Sequence, residues 1–144
     1  MKRSRIIYIY SEQPDYIRAD KVLSMLDETD QEIFYIGCTR GNQPARKISH
    51  KQNISYCVSK LSIPHGGIFS AFFTFMFMIY SLYKAFIIKP DLIIAVNEEL
   101  ALPFVLFFPK TLKICEAYDT LAMRHKVENK FLGRLLENVS KFVL

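Results

Sequence analysis

Apolar residues in this chain arrive in two rhythms, and the rhythms alternate from one end to the other. Arg5–Tyr10 is a short, nearly continuous apolar run and reads as a strand, closed by the turn-forming Ser11-Glu12-Gln13-Pro14-Asp15. In the next segment Ala19, Val22, Leu23 and Leu26 recur at i, i+3, i+4 and i+7, which predicts a helix over about Asp15–Asp27 with Arg18, Asp20 and Lys21 elsewhere on its surface. Glu32–Ile36 reads as a second strand stopped by Gly37, followed by a polar loop, Cys38–Asn53, and a weaker third strand at Ile54–Val58. Pro64-His65-Gly66-Gly67 marks a break. A long apolar helix is expected over Ile68–Ile88, then a strand at Asp91–Val96. Pro103 allows a short helix at about Leu102–Phe107, with proline in its tolerated first turn. Lys113–Ala117 is a further strand. A final helix from Asn129 onward places Leu132, Leu135, Leu136, Val139, Phe142 and Val143 on one face.

The sharpest of these boundaries is at Lys89-Pro90-Asp91. Proline has no N–H to donate and its ring clashes with a continuing helix, so the long helix must end there. Leu92-Ile93-Ile94-Ala95-Val96 then has the composition of a strand buried on both faces of a parallel sheet. It stops abruptly at Asn97-Glu98-Glu99. Alternating strand and helix with short connections predicts an α/β domain built on a doubly wound parallel sheet. The 144 residues suffice for one such domain, spanning 1–144.

The helix Ile68–Ile88 raises a membrane question. No charged residue lies between His65 and Lys84, a length at which a membrane span becomes possible. Phe69, Phe72, Phe73, Met76, Phe77, Tyr80 and Tyr83 form one aromatic stripe, with Ser70, Thr74 and Ser81 on the far side. Three readings stand: a crossover helix pressed on the sheet, a helix lying in a bilayer interface, and a true span. A span would put the first strand and Asp91–Val96 on opposite sides of a bilayer and abolish their shared sheet. The first two readings are compatible if Phe75, Met78, Ile79 and Leu82 touch lipid.

Composition narrows the function classes. With 51% hydrophobic and 23% charged residues the chain is neither disordered nor fibrous. A net charge of +5, concentrated at Lys2, Arg3 and Arg5 and at Arg40, Arg46, Lys47 and Lys51, favours anionic partners, although the second group reads first as a solvated loop. Cys38, Cys57 and Cys115 form no Cys-x-x-Cys pair; Cys57 and Cys115 sit in apolar runs and read as buried thiols of a reducing compartment. Ile6–Tyr10 is too short for a signal-peptide core, so a cytoplasmic location is expected. No Gly-x-Gly-x-x-Gly follows the first strand, which argues against a nicotinamide or flavin cofactor. A phosphate loop, a Gly-x-Ser-x-Gly elbow and a metal-ligand cluster are likewise missing from the sequence. Nucleic-acid binding is not expected, because the aromatic residues sit in core-like runs rather than among basic ones.

In a doubly wound sheet the strand order reverses beside the first strand, and ligands bind in the crevice at the carboxyl ends there. Loops Ser11–Tyr16, Asn97–Leu100 and Tyr118–Arg124 would line it. They offer Glu12, Asp15, Asn97, Glu98, Glu99, Asp119, Thr120, Arg124 and His125, groups suited to a hydroxyl-rich ligand because carboxylates and amides bond several hydroxyls at fixed spacing. Asn97 is equally readable as a helix cap, Glu98 and Glu99 as solvated, and Arg18 as a phosphate ligand or a surface residue.

Several segments together resemble a known family. These are the first strand leading to a helix with Arg18-x-x-Lys21, Lys89-Pro90-Asp91 opening a buried strand, Lys113-Ile114-Cys115-Glu116-Ala117-Tyr118-Asp119, and the helix Leu135-Leu136-Glu137-Asn138-Val139-Ser140-Lys141. In order and spacing they are similar to the N-terminal, acceptor-binding, Rossmann-like domain of family-four glycosyltransferases with the two-domain GT-B architecture. The resemblance covers nearly the whole chain, which would make it half of such an enzyme. It implies that sugar moves from a nucleotide-sugar, bound mainly by a second, donor-binding domain, to an acceptor held here, without a metal or other cofactor. It places Asp119 where members carry a catalytic cleft-lining histidine or aspartate, and Asn97 and Glu98 where they contact acceptor; Glu12, Arg18 and Arg124 join the acceptor set from the same rim.

The glycines common after the first strand in that family are replaced here, and the donor domain with its paired glutamates lies outside these residues. The last helix ends with its apolar face still running, as expected of a piece of something longer or of a chain that a partner covers. The expected partners are therefore a donor-binding domain or subunit, a sugar, polysaccharide or lipid-linked acceptor, and a membrane surface at the inner face of the cell membrane. A non-catalytic subunit recruiting a separate transferase to the membrane, and a gene remnant, stand as alternatives.

Overall fold

The computed structural model describes residues 3–41, 53–64 and 67–117. Five strands, β1 (Arg5–Ile9), β2 (Glu32–Arg40), β3 (Ile54–Ile63), β4 (Leu92–Val96) and β5 (Leu112–Glu116), form one sheet in the order β3-β2-β1-β4-β5. Every neighbouring pair is parallel. Helices α1 (Ile17–Asp27), α2 (Gly67–Ile88) and α3 (Glu98–Phe107) make the connections. The chain winds outward from β1 to β3, and α2 then carries it back so that β4 pairs with the other side of β1. This is the expected doubly wound, Rossmann-like α/β domain, with its reversal between β1 and β4.

Strand alternation divides the core in two. Ile7 and Ile9 of β1 pack with Ile36, Cys38, Ile93 and Ala95 against Phe77, Ala85 and Ile88 of α2 and Leu100, Ala101 and Phe104 of α3. Ile6, Tyr8 and Tyr10 face the opposite way, with Ile33, Tyr35, Ile94 and Val96, onto Ala19 and Leu23 of α1. Both faces of β1 and β4 are therefore buried, which is why these strands read as unbroken apolar runs. Each such isoleucine contributes about 1.5–3 kcal/mol of transfer free energy.

The Lys89–Asp91 boundary acts as its sequence requires. Lys89 leaves α2 in the left-handed region (φ 55°), its N–H donating to the Ala85 carbonyl at 2.8 Å. The Arg5 guanidinium donates to the Ile88 carbonyl at 2.8 Å, and Asp91 Oδ2 accepts from the Arg5 backbone N–H at 2.9 Å. The end of the long helix, the start of β4 and the start of β1 are thereby tied into one corner.

Several expectations need correction. Gly37 does not end β2, which runs on through Cys38 and Thr39 to Arg40, so Arg40 belongs to a strand and not to a solvated loop. β3 is correspondingly longer, reaching Ile63, and it bulges: between the Gly37–Val58 and Thr39–Ser62 pairs, Ser59, Lys60 and Leu61 oppose Cys38 alone. α3 begins at Glu98, four residues earlier than Leu102, which puts Pro103 inside the helix and leaves the Glu99 carbonyl without its usual i+4 donor. Cys38 is the buried thiol, while Cys57 and Cys115 are only partly covered.

The packed side of α2 is also rotated from the expected stripe. Phe77, Ser81, Ala85 and Ile88 face the core, and Ser81 Oγ donates to the Phe77 carbonyl at 2.8 Å, so this hydroxyl is buried within its own helix and not on the far side. Phe69, Phe72 and Tyr83 are exposed. Because α2 joins β3 to β4 of one sheet and lies on it, it is the crossover helix. The expected polar loop over 42–52, His65 and the helix from Asn129 onward lie outside the described residues.

Candidate functional site

The carboxyl edge of the sheet brings two polar clusters to the reversal point. β1 is central: Ile9 sits opposite Ile36 on one side and Ala95 on the other. The chain leaving β1 passes through buried Tyr10, Ser11 and Gln13 and leans over β2. There the Glu12 carbonyl accepts from the Tyr35 hydroxyl at 2.7 Å and from the Cys38 N–H at 3.3 Å.

Gly37 makes that approach possible. A Cβ at this position would lie 2.6 Å from the Glu12 carbonyl oxygen and against the Tyr35 ring. The glycine is a clearance and not a terminator. The loop so seated delivers the Glu12 carboxylate to Arg40, Oε1 to Nη1 at 3.2 Å, with the two side chains 13% and 31% exposed. The Nε of Arg40 is buried with no hydrogen-bond partner among the described residues.

The second cluster stands on β4, on the other side of β1 and about 10 Å away by two strand spacings. Val96 is followed by Asn97, whose N–H donates to the Glu116 carbonyl at 2.9 Å and whose own carbonyl accepts from the Ala101 N–H at 3.2 Å. Its backbone is at φ 72°, ψ 152°, a region that only glycine occupies without strain. Asn97 stands at the cap position of α3, yet its side chain makes no capping bond. Its Oδ1 is buried with no partner among the described residues, as is Oε2 of Glu99. Glu98, the first residue of α3, is almost wholly buried rather than solvated. Both glutamates sit in the first turn, where the helix dipole favours negative charge.

Electrostatics mark both clusters. Burial pushes the Cys38 thiol up to about 12, with the Glu12 carboxylate adding to the rise and Arg40 opposing it. Burial pushes Cys115 up to about 11, reinforced by Glu98, Glu99 and Glu116. Both thiols are therefore held protonated and inert as nucleophiles near neutrality. Burial, reinforced by Tyr8 and then Cys38, raises Tyr35 well above its ordinary value, keeping its hydroxyl a donor to the loop. On the α1 side of the sheet the Tyr8 hydroxyl donates to Glu116 Oε2 at 3.3 Å, fixing that carboxylate at the rim.

Of the expected site residues, Asn97 and Glu98 stand together at the reversal point, and Glu12 lies across β1 from them, paired with Arg40. Arg18 is exposed in the first turn of α1. Asp119 and Arg124 lie outside the described residues. Arg40 and Gly37 were missed by the sequence reading. Their signal was the apolar alternation continuing across Gly37, from Ile36 to Cys38, which a stop at glycine conceals. Among the described residues no group of His, Cys, Asp and Glu is arranged to hold a metal ion. A shallow recess between α3 and β4–β5, lined by Ala95, Phe104, Lys113 and Cys115 among others, holds about 40 Å³, room for a water or two but not for a sugar.

The fold and edge geometry together define the chain as a Rossmann-like α/β domain with polar clusters on both sides of its topological reversal. Among solved structures it is similar to a sucrose-phosphate synthase from Thermosynechococcus elongatus, with a TM-score of 0.69 at 11% sequence identity over 99% of this chain. The chain therefore has a glycosyltransferase-like fold. It spans 40% of that synthase's length. No family model matches the sequence, and no curated protein is matched.

Proposed function

We propose that this domain is the acceptor-binding half of a GT-B glycosyltransferase of the family-four kind, holding a saccharide or lipid-linked saccharide while a donor-binding domain or subunit presents a nucleotide-sugar. The observation that carries the reading is Asn97. Its backbone is held in a glycine-only conformation, and its amide oxygen is buried with no partner among the described residues, as is a second acceptor two residues on, Glu99 Oε2. Strain of this sort is retained at sites where a side chain must be aimed. Buried acceptors in want of donors suit a ligand rich in hydroxyl groups.

The likeness to the synthase supports the reading at the level of fold, and the share of that chain covered is in keeping with one half of a two-domain enzyme. In this reading Asn97, Glu98 and Arg124 orient the acceptor, Glu12 holds Arg40 toward the rim, and Asp119 serves the transfer step. Sugar transfer then requires the second half. The working location is the cytoplasm, where nucleotide-sugars are available.

The test is saccharide titration followed by amide chemical shifts. Neutral mono- and oligosaccharides should perturb Ser11, Asn97 and Glu99 in the millimolar range, and Asn97→Ala should abolish the response. Absence of any saturable shift up to about 50 mM, an affinity too weak to be specific, would overturn the proposal.

A further inference from the structure

The outer side of α2 is the largest feature that the crevice does not use. Phe72, Phe75, Ile79, Tyr83 and Phe86 follow one another along it, each between 47 and 60% exposed. Only 22% of the most apolar stretch of this helix is buried. The surface continues onto α3: the rings of Phe86 and Phe108 touch at 4.8 Å between centroids, and Leu106 and Phe107 beside them are exposed as well. With about 100 Å² open on each of these residues, the patch is on the order of 700 Å², above the 300–600 Å² typical of the largest patch on a monomer.

Charge selects the occupant. There is no acidic residue between Pro64 and Pro90 or between Leu100 and Leu112, whereas these two segments carry Lys84, Lys89 and Lys110. Lys84 lays its ammonium 5.6 Å from the Tyr80 ring centroid, its stem along the helix and its charge at the edge. A second copy of the chain is a poor fit, because a two-fold interface would set these lysines against their own equivalents with no carboxylate between. An anionic bilayer answers both features, accepting aromatic and aliphatic side chains among its headgroups and drawing lysines to its surface.

We propose that the outer faces of α2 and α3 dock the domain on an anionic membrane surface, with α2 lying in the plane of the interface. Spanning is precluded because β3 and β4, at the two ends of α2, share one sheet. The docking is independent of the saccharide reading, since no residue of the crevice takes part in it.

The experiment is co-sedimentation of the full chain with neutral zwitterionic vesicles and with vesicles containing about 30% anionic lipid. Partitioning should favour the anionic vesicles at least about tenfold and weaken steadily with salt. Phe75→Ser with Ile79→Ser, both exposed positions, should cut partitioning at least about tenfold with the circular dichroism melt unchanged. Lys89→Gln with Lys110→Gln should cost roughly twenty-five-fold on anionic vesicles only, at about fivefold per lysine. The proposal fails if the wild-type chain ignores vesicles, if the serine variant partitions equally well, or if neutral and anionic vesicles bind alike. It fails too if the patch variants abolish a self-association seen by sedimentation velocity while vesicle binding is absent.

Discussion

Replacing Asn97 by glycine should make the protein more stable and less able to bind its ligand. The residue occupies φ 72°, ψ 152°, a conformation that costs a non-glycine residue about 1–3 kcal/mol. Its amide oxygen is buried without a partner among the described residues, which adds a desolvation cost of about 1–3 kcal/mol. Glycine removes both and returns about 0.5–1 kcal/mol to the unfolded chain through its extra backbone freedom. Both main-chain bonds, to Glu116 and from Ala101, survive the change. The net expectation is a gain of about 1–5 kcal/mol, or a rise in Tm of roughly 3–15 °C at this chain length. Asn97→Ala separates the two contributions. It removes the unpartnered oxygen and keeps a Cβ in the strained region, so after the cost of about 0.5–1 kcal/mol for glycine's backbone freedom it should fall below Asn97→Gly by up to about 2.5 kcal/mol. Urea unfolding with circular dichroism measures all three proteins, and saccharide titration shows whether either variant still binds. The reasoning is refuted if glycine destabilises the fold, or if alanine is the more stable variant by about 0.5–1 kcal/mol, because strain at residue 97 would then contribute nothing.

Gly37→Ala should lower stability by about 2–4 kcal/mol in the same unfolding assay, because the new methyl group meets the Glu12 carbonyl and the Tyr35 ring; a change within about 0.5 kcal/mol would show that the loop is not seated there. Phe77→Ala should cost about 3–5 kcal/mol and Phe75→Ala about 0.5 or less, since only the former is buried, and reversal of that order would mean that α2 presents another face. Alkaline stability follows from Cys38, whose thiol keeps its proton to about 12 in the fold against an ordinary 9. Its contribution is complete below pH 9 and is lost as the pH climbs toward 12, because the unfolded chain releases the proton first. About 2 kcal/mol should disappear by about pH 10.5, and Cys38→Ala should flatten that slope when urea midpoints are compared across pH. An unchanged slope in the variant would contradict the assignment. Arg40→Met should push the Cys38 thiol higher still, since Arg40 is the one neighbour opposing the rise, and slower alkylation by a soluble maleimide above pH 9 would register it.

What could be read in advance follows from which physical signal each element carries. β1 and β4 were legible because burial on both faces leaves an unbroken apolar run, and Pro90 fixed the boundary between α2 and β4. The reversal between β1 and β4 followed, since alternating β and α units leave few other topologies. Gly37 misled because glycine marks both a chain turn and a place where another backbone comes close, and sequence does not distinguish them; here the visitor is Glu12, twenty-five residues earlier. Arg40 was lost with it. The start of α3 is hidden for a related reason: proline signals a first turn, whereas this helix accepts Pro103 in its interior and begins on two glutamates that its dipole favours.

The failure at α2 is of a different kind and bears on what the helix is for. Amphipathic periodicity gives a helix a readable phase only when one side is polar. From Phe69 to Tyr83 nearly every position is apolar, so the aromatic stripe that stands out by eye has no more claim to the core than the row opposite. Packing chose Phe77, Ser81, Ala85 and Ile88, a row that includes two small residues, because small side chains let the helix come close to the sheet. The rings of Phe69, Phe72, Phe75, Tyr83 and Phe86 were thereby turned outward. A crossover helix in a water-exposed domain has no need for apolar residues on that side, and solubility would favour charge there. The same uniformity that blurs the sequence reading is thus the signature of a helix with a surface to meet on each side. The sheet is one of these surfaces, and a lipid headgroup layer is the proposed other.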